Sequence, residues 1–275
     1  MTSLKTARVA WRRLLDFTGY LLVGLVVLAL VTPGFEVRAL PASARDVEEM
    51  ADLCMLSERL LKDYALIGMG VHYHNPEKDL GDNLQRFERY LGELRKRPFD
   101  TRLKKEIGEV VQAWEGIRPL LQEQPDTKAA NDLHRRVDAL SRRCERIALD
   151  SAASTGIRNE DQVVLIAELG MLSQRLAARY MLRAWGVDVN DYDRQATDTI
   201  KAFDARLQRL LDEPDRMLSP AVRTQLADLK KPFHTFAFMA TRSSGRFVPS
   251  LAEKSATRIH QTVRRILKLE EDNLK

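Results

Sequence analysis

The sequence predicts an all-α protein with two tandem antiparallel four-helix bundles that follow an N-terminal export segment. Three observations lead to this prediction. Apolar residues recur at steps of three and four, no segment alternates over the length of a strand, and a long block of sequence occurs twice. We assign residues 1–44 to the export segment, 45–156 to the first bundle and 157–275 to the second.

The composition is typical of a folded, non-fibrous protein. Of the 275 residues, 44% are hydrophobic and 30% are charged, which excludes a largely disordered chain. The net charge of +5 is concentrated at the N-terminus, where residues 1–44 contain five basic and two acidic residues. Because the remainder carries only +2, we expect no nucleic-acid partner.

The N-terminal segment predicts export from the cytoplasm. Basic residues precede an apolar run from Phe17 to Val31, as in a signal peptide. The small residues Ala42, Ser43 and Ala44 fit the pattern that signal peptidase cleaves. If cleavage does not occur, residues Leu14 to Phe35 are long enough to remain as an inner-membrane tether. Both alternatives place the body of the protein in the periplasm.

An internal repeat suggests that the chain arose by duplication. The block Met55–Leu60 recurs 116 residues later as Met171–Leu176, with one change from Glu to Gln. Further identities at the same spacing are Tyr64 with Tyr180, Leu66 with Leu182, Gly70 with Gly186, and Phe87 with Phe203. We therefore expect the two halves to share one helical design.

Four helices are expected in each half. The first carries the repeated block. The others are expected near Leu80 to Leu94, Thr101 to Arg118 and Asn131 to Asp150, and again near Ala196 to Leu211, Pro220 to Ala240 and Ser250 to Leu269. Pro232 should kink its helix, and Trp114 and Phe233 are predicted core aromatics.

The repeated block, with an alanine four residues before Met-Leu-Ser-Glu/Gln-Arg-Leu, resembles the PilJ/NarX-type sensor domain of type IV pilus chemotaxis transducers and nitrate sensors. Both halves look like copies of it, and the match is best at Ala167 to Val187. The resemblance implies an all-helical periplasmic sensing module. In the nitrate-sensing members an arginine directly precedes the motif methionine, but here those positions hold Cys54 and Gly170.

The arginine within the motif is present in both copies, as Arg59 and Arg175. Two guanidinium groups that converge between the halves could bind one planar anion, with Ser57 and Ser173 as additional hydroxyl donors. The alternative is that each arginine pairs with a carboxylate of its own bundle, such as Asp52 or Glu168. The predicted ligand-binding residues are therefore Arg59, Arg175, Ser57 and Ser173.

Other candidate sites have a weaker basis in the sequence. His72 and His74 are more typical of a loop than of a metal site, because a third ligand is missing. Cys54 and Cys144 could form a disulfide in the periplasm or remain free thiols. We find no nucleophile with a base, no phosphate loop and no metal motif, so we expect no enzyme and no cofactor.

The sequence therefore predicts an exported, non-catalytic, sensor-like module that binds a small ligand, such as an anion, or a partner protein. Because no output region is recognisable in the chain, we expect the signal to pass to another protein. The alternative is a structural or adaptor protein of the cell envelope that docks onto a membrane receptor or a pilus-associated protein. The two hypotheses differ in whether Arg59 and Arg175 face a shared polar pocket.

Overall fold

The computed structural model describes residues 42–155, 160–214, 218–242 and 247–273. These residues form nine α-helices and no β-strand, which confirms the all-α prediction. The helices are α1 (Ala44–Gly68), α2 (Pro76–Lys96), α3 (Thr101–Glu115), α4 (Arg118–Gln122), α5 (Thr127–Thr155), α6 (Glu160–Ala184), α7 (Tyr192–Leu211), α8 (Pro220–Thr241) and α9 (Pro249–Asn273).

Helices α1 to α5 constitute the first half of the molecule, and α6 to α9 the second. In the first half α1 packs on α2, α2 on α3, α3 on α5, and α5 returns to α1, while the short α4 touches α1, α3 and α5. In the second half α6 packs on α7, α7 on α8, α8 on α9, and α9 returns to α6. Each half therefore closes a ring of four long helices around apolar residues.

The N-terminal export segment is mostly outside the described residues, as are the membrane segment Leu14 to Phe35 and the boundary at residues 156–157. Within the described ranges, no helix has both the length and the apolar character needed to cross a membrane. Helix α1 begins inside the predicted cleavage pattern. Ser43 and Asp46 form a capping box there, because each side chain accepts a hydrogen bond from the backbone N–H of the other residue.

Two tyrosines at equivalent positions of the repeat have the same role in both halves. Tyr64 and Tyr180 are buried, and a buried phenol needs a hydrogen-bond partner. The Tyr64 hydroxyl accepts from the backbone N–H of Asp126 at 3.4 Å, and the Tyr180 hydroxyl accepts from that of Val248 at 2.8 Å. Asp126 and Val248 directly precede α5 and α9. Each tyrosine thus ties the first helix of its half to the start of the last helix.

Stacked aromatic rings occur at corresponding places in the two cores. The ring of Phe87 on α2 stacks on that of Trp114 on α3, with centroids 4.1 Å apart. The ring of Phe203 on α7 stacks on that of Phe233 on α8 at 3.5 Å. Trp114 and Phe233 are buried, as the sequence predicted. Helix α8 continues without interruption through Pro232.

The first helices of the two halves pack against each other, so α1 and α6 join the halves. They approach each other closely at Gly170 on α6. A Cβ atom at this position would lie 2.5 Å from Met55 Sδ on α1 and 3.0 Å from Val263 Cγ1 on α9. These are closer than ordinary contacts between carbon or sulfur atoms. The absence of a side chain at Gly170 is what allows three helices to meet there.

We expect Gly170→Ala to lower the free energy of unfolding by about 1–3 kcal/mol, because the added methyl group forces buried neighbours apart. Gly92→Ala on α2 is the matched control, since its Cβ would meet nothing within 4 Å. That substitution should raise stability by about 0.5–1 kcal/mol through helix propensity. Urea denaturation followed by circular dichroism measures both. An unchanged midpoint for Gly170→Ala would contradict the close approach.

Candidate functional site

Arg175 is paired with residues of the opposite half. Its Nε donates to Glu58 Oε1 on α1 at 3.1 Å, and its Nη2 donates to Ser141 Oγ at 3.1 Å and to Glu145 Oε2 at 3.2 Å on α5. The side chain is only 12% exposed and that of Glu58 only 3%. Burial by itself would lower the pKa of Arg175, but the two carboxylates raise it above its ordinary value. This arginine is satisfied within the protein.

The carboxylates that we expected to pair with the motif arginines bind other arginines. Asp52 on α1 accepts from Arg264 on α9, and Glu168 on α6 accepts from Arg206 on α7 at 2.7 Å. The alternative in which Asp52 or Glu168 neutralises a motif arginine is therefore not what the structure contains. Glu58, a residue of the motif itself, takes that role for Arg175.

Arg59 has a different environment, in a cleft where α1, α2 and α9 meet. Its Nε is buried and has no hydrogen-bond partner among the described residues. The cleft has a volume of about 630 Å³ and contains four arginines and one acid. We call it the basic cleft; its lining residues are Arg59, His74, Asp79, Arg86, Thr257, His260, Gln261, Arg264 and Arg265.

Among the described residues that line the basic cleft, arginines outnumber acids. Arg264 is held by Asp52, with Glu48 3.7 Å away, and Arg265 donates to the hydroxyl of Thr262. Asp79 is the one acidic residue among the lining residues. Since like charges that converge in a concave surface raise the local potential, this lining is chemically better suited to an anion than to a cation.

His260 places a neutral imidazole in this positive environment. Only 7% of the residue is exposed, and its Nδ1 has no hydrogen-bond partner in the described part of the chain. Burial lowers the pKa of His260 well below the ordinary histidine value, and the charges of Arg59, Arg264 and Arg86 lower it further. An anion that entered the cleft would relieve this effect.

A buried ionic cluster lies below the basic cleft and joins α1 to α9. Lys62 Nζ is 2.9 Å from Asp63 Oδ1 and 2.5 Å from Glu253 Oε2. Asn83 donates to Asp63, and the hydroxyl of Thr257 donates to Glu253 at 2.7 Å. Burial would lower the pKa of Lys62, but the two carboxylates raise it, so the ammonium stays charged.

The four predicted ligand-binding residues do not share one pocket. Ser57 Oγ donates to the carbonyl oxygen of Cys54 at 2.8 Å, and Ser173 Oγ donates to that of Gly170 at 2.7 Å. Both hydroxyl groups are buried and used within their own helices. Of the four, Arg59 alone is among the residues that line the basic cleft.

The other predicted candidates are also located. Cys54 and Cys144 are buried free thiols. Burial raises the pKa of the Cys54 thiol, and the adjacent Cys144 raises it further. Exposed His72 has Glu77 3.9 Å away, whereas His74 lines the basic cleft. No group of three or more metal-ligating side chains occurs within the described ranges.

Arg86, His260 and Gln261 belong to the site, and sequence reasoning missed them. The sequence did contain one indication that the surroundings of the two motif arginines differ, because Glu58 of the first copy is replaced by Gln174 in the second. That change removes a carboxylate from the second copy of the motif. Residues on α9 gave no comparable signal, since the last helices of the two halves have few identities.

Comparison of the chain with protein families, curated proteins and solved structures finds no match. The resemblance to the PilJ/NarX-type sensor domain therefore depends on the repeated motif residues.

We expect the two motif arginines to differ in their contribution to stability. Arg175→Ala leaves Glu58 and Glu145 without their cation, so it should lower the free energy of unfolding by about 3–5 kcal/mol. Arg59→Ala removes no ion pair of the described residues and should cost about 1 kcal/mol or less. Urea denaturation of the two variants in parallel measures the difference. Equal losses would show that Arg59 is also satisfied internally.

Stability should fall as the pH drops below about 6.5, the ordinary pKa of histidine. An unfolded chain takes up a proton at His260 in this range, whereas the folded chain does not, because its pKa there is lowered. The slope contributed by one such histidine approaches 1.4 kcal/mol per pH unit, by linkage. We expect His260→Asn to reduce the slope measured by denaturation at several pH values. Equal slopes for the wild type and His260→Asn would refute this assignment.

Proposed function

We propose that this protein is a non-catalytic, sensor-like module that binds a small anion in the basic cleft and passes the event to another protein. The observation that carries the proposal is the buried Nε of Arg59, which lacks a partner in the described chain, in a cleft with three further arginines. Buried polar groups are usually satisfied, so an unpartnered arginine donor in a cleft suggests a ligand.

The rings of helix contacts support an interpretation of the two halves as tandem antiparallel four-helix bundles. Together with the motif, this supports a PilJ/NarX-like module in each half, exported to the periplasm by the N-terminal segment. The departure at Cys54 and Gly170 is consistent with a different anion site. Gly170 has no room for a side chain, so an arginine could not replace it without a rearrangement of α1 and α9.

Ligand binding in the basic cleft would connect the two halves, because α1 and α2 belong to the first and α9 to the second. On the opposite side, α5 packs on α6 near Glu145, one of the carboxylates that hold Arg175. Helix α9 packs less extensively on α1. An anion between Arg59 and α9 would draw these helices together, provided that it binds the closed arrangement more tightly than the open one. That movement is the signal we propose.

The alternative function, docking onto a membrane receptor or pilus-associated protein, is supported by a different observation. Four large apolar side chains are exposed among the described residues, and all four lie in the second half: Phe238, Val248, Leu251 and Leu269. Exposed apolar surface of this kind can serve as a docking site. This proposal requires no ligand in the basic cleft.

Thermal unfolding of the purified full chain across a panel of anions tests the leading proposal. We expect nitrate, sulfate, phosphate or acetate to raise Tm with concentration, since a ligand at about 100 times its Kd adds about 2.7 kcal/mol of stability. The rise should be absent from Arg59→Ala and Arg86→Ala. It should persist in Arg258→Ala, because Arg258 is an exposed arginine of α9 outside the cleft.

A flat response to every anion would overturn the proposed anion site and favour docking. A rise of equal size in Arg59→Ala would show that anions bind elsewhere on this basic protein.

A further inference from the structure

The repeat places Arg59 and Arg175 at equivalent positions on the first helices of the two halves. Each arginine also faces the last helix of the opposite half. Arg175 reaches Ser141 and Glu145 on α5, and Arg59 lines a cleft with Thr257, His260 and other residues of α9. The surroundings of Arg175 are therefore an internal template for those of Arg59.

At Arg175, the guanidinium is bound by a pair of carboxylates. Glu58 and Glu145 both bind the guanidinium of Arg175. At the other site, the repeat replaces Glu58 by Gln174, and the amide of Gln174 donates to the backbone carbonyl of Ala256. The α9 residues that line the basic cleft include amide, hydroxyl, imidazole and guanidinium groups but no acid. The second half thus supplies no carboxylate to the lining around Arg59.

We propose that the basic cleft binds an organic acid whose carboxylate takes the place at Arg59 that Glu58 and Glu145 take at Arg175, with one ligand per chain. This inference depends on the proposed anion-binding function and specifies its ligand class. A single ligand is expected because the site at Arg175 is already filled by side chains of the protein.

The comparison with Arg175 and the size of the cleft favour an organic carboxylate, and the guanidinium of Arg59 is suited to bind one. A guanidinium group is planar and binds the two oxygens of a carboxylate through parallel hydrogen bonds. His260 adds a buried Nδ1 without a partner in the described chain, at the same cleft. The volume of about 630 Å³ is within the range of small-molecule sites, so it leaves room for an organic group beyond the carboxylate.

The underlying ionic cluster does not supply this carboxylate. Glu253 accepts from Lys62 and from Thr257, and Asp63 accepts from Asn83 and lies beside Lys62. These carboxylates lower the cost of burying Arg59 at longer range, but neither forms an ion pair with it in the described structure. The hydroxyl of Thr257 is already used as a donor, so the groups of the lining that we expect to bind the ligand are Arg59, Arg86 and His260, with the amide of Gln261 beside them.

Isothermal titration calorimetry of the full chain at constant ionic strength tests the inference with acetate, succinate and benzoate against nitrate, sulfate and phosphate. We expect at least one carboxylate to bind at one per chain, about tenfold or more tighter than every inorganic anion. Arg59→Lys keeps the charge but loses the planar fork, so it should weaken carboxylate binding about tenfold, an effect of roughly 1.4 kcal/mol. Arg258→Ala should bind like the wild type.

Inorganic anions that bind as tightly as the carboxylates would overturn this inference while the proposed anion site remained supported. The absence of binding by all six anions would overturn both. A second experiment uses the double variant Glu58→Gln/Glu145→Gln, which removes both carboxylates from the site at Arg175. If this variant folds, it should bind two carboxylates per chain, whereas Glu109→Gln, a half-exposed acid on α3 away from Arg175, should still bind one. A folded double variant that binds only one would refute the equivalence of the two sites.

Discussion

The close packing of α1 against α6 determines how the rest of the molecule is arranged. At Gly170 the helices approach until only a hydrogen fits between Met55 and Val263. Because the repeated motif lies on these two helices, their contact turns each motif arginine toward the last helix of the other half. The site at Arg175 and the basic cleft at Arg59 are both consequences of this packing, and neither could form within one half alone.

The partly buried arginine of the motif has opposite surroundings in the two copies. An ion in a low-dielectric environment must be paired or remain in contact with water. Arg175 is paired with two carboxylates of the first half, so its site is closed. Arg59 remains open to a cleft in which arginines outnumber acids. Equivalent arginines of the repeat therefore occupy one closed site and one open cleft.

In the proposed function, ligand binding acts on the contact between α1 and α9. Two existing interactions already link these helices, the buried pair of Lys62 with Glu253 and the pair of Asp52 with Arg264. Both lie near Arg59, since Arg264 lines the same cleft and Lys62 is one turn along α1 from Arg59. A ligand would add a third link at the same place. Binding would therefore strengthen an interface that is formed but less extensive than its counterpart between α5 and α6.

The sequence by itself determined the helical class, the repeated block and the core aromatics Trp114 and Phe233. These features depend on local periodicity and on identities at a fixed spacing, which can be read along the chain. The tertiary structure decided that Arg175 pairs with Glu58, that Asp52 pairs with Arg264, and that His260 lies beside Arg59. These partners are far apart in sequence. Coulombic interactions depend on distance in space, so only the packing of α1, α6 and α9 could select them.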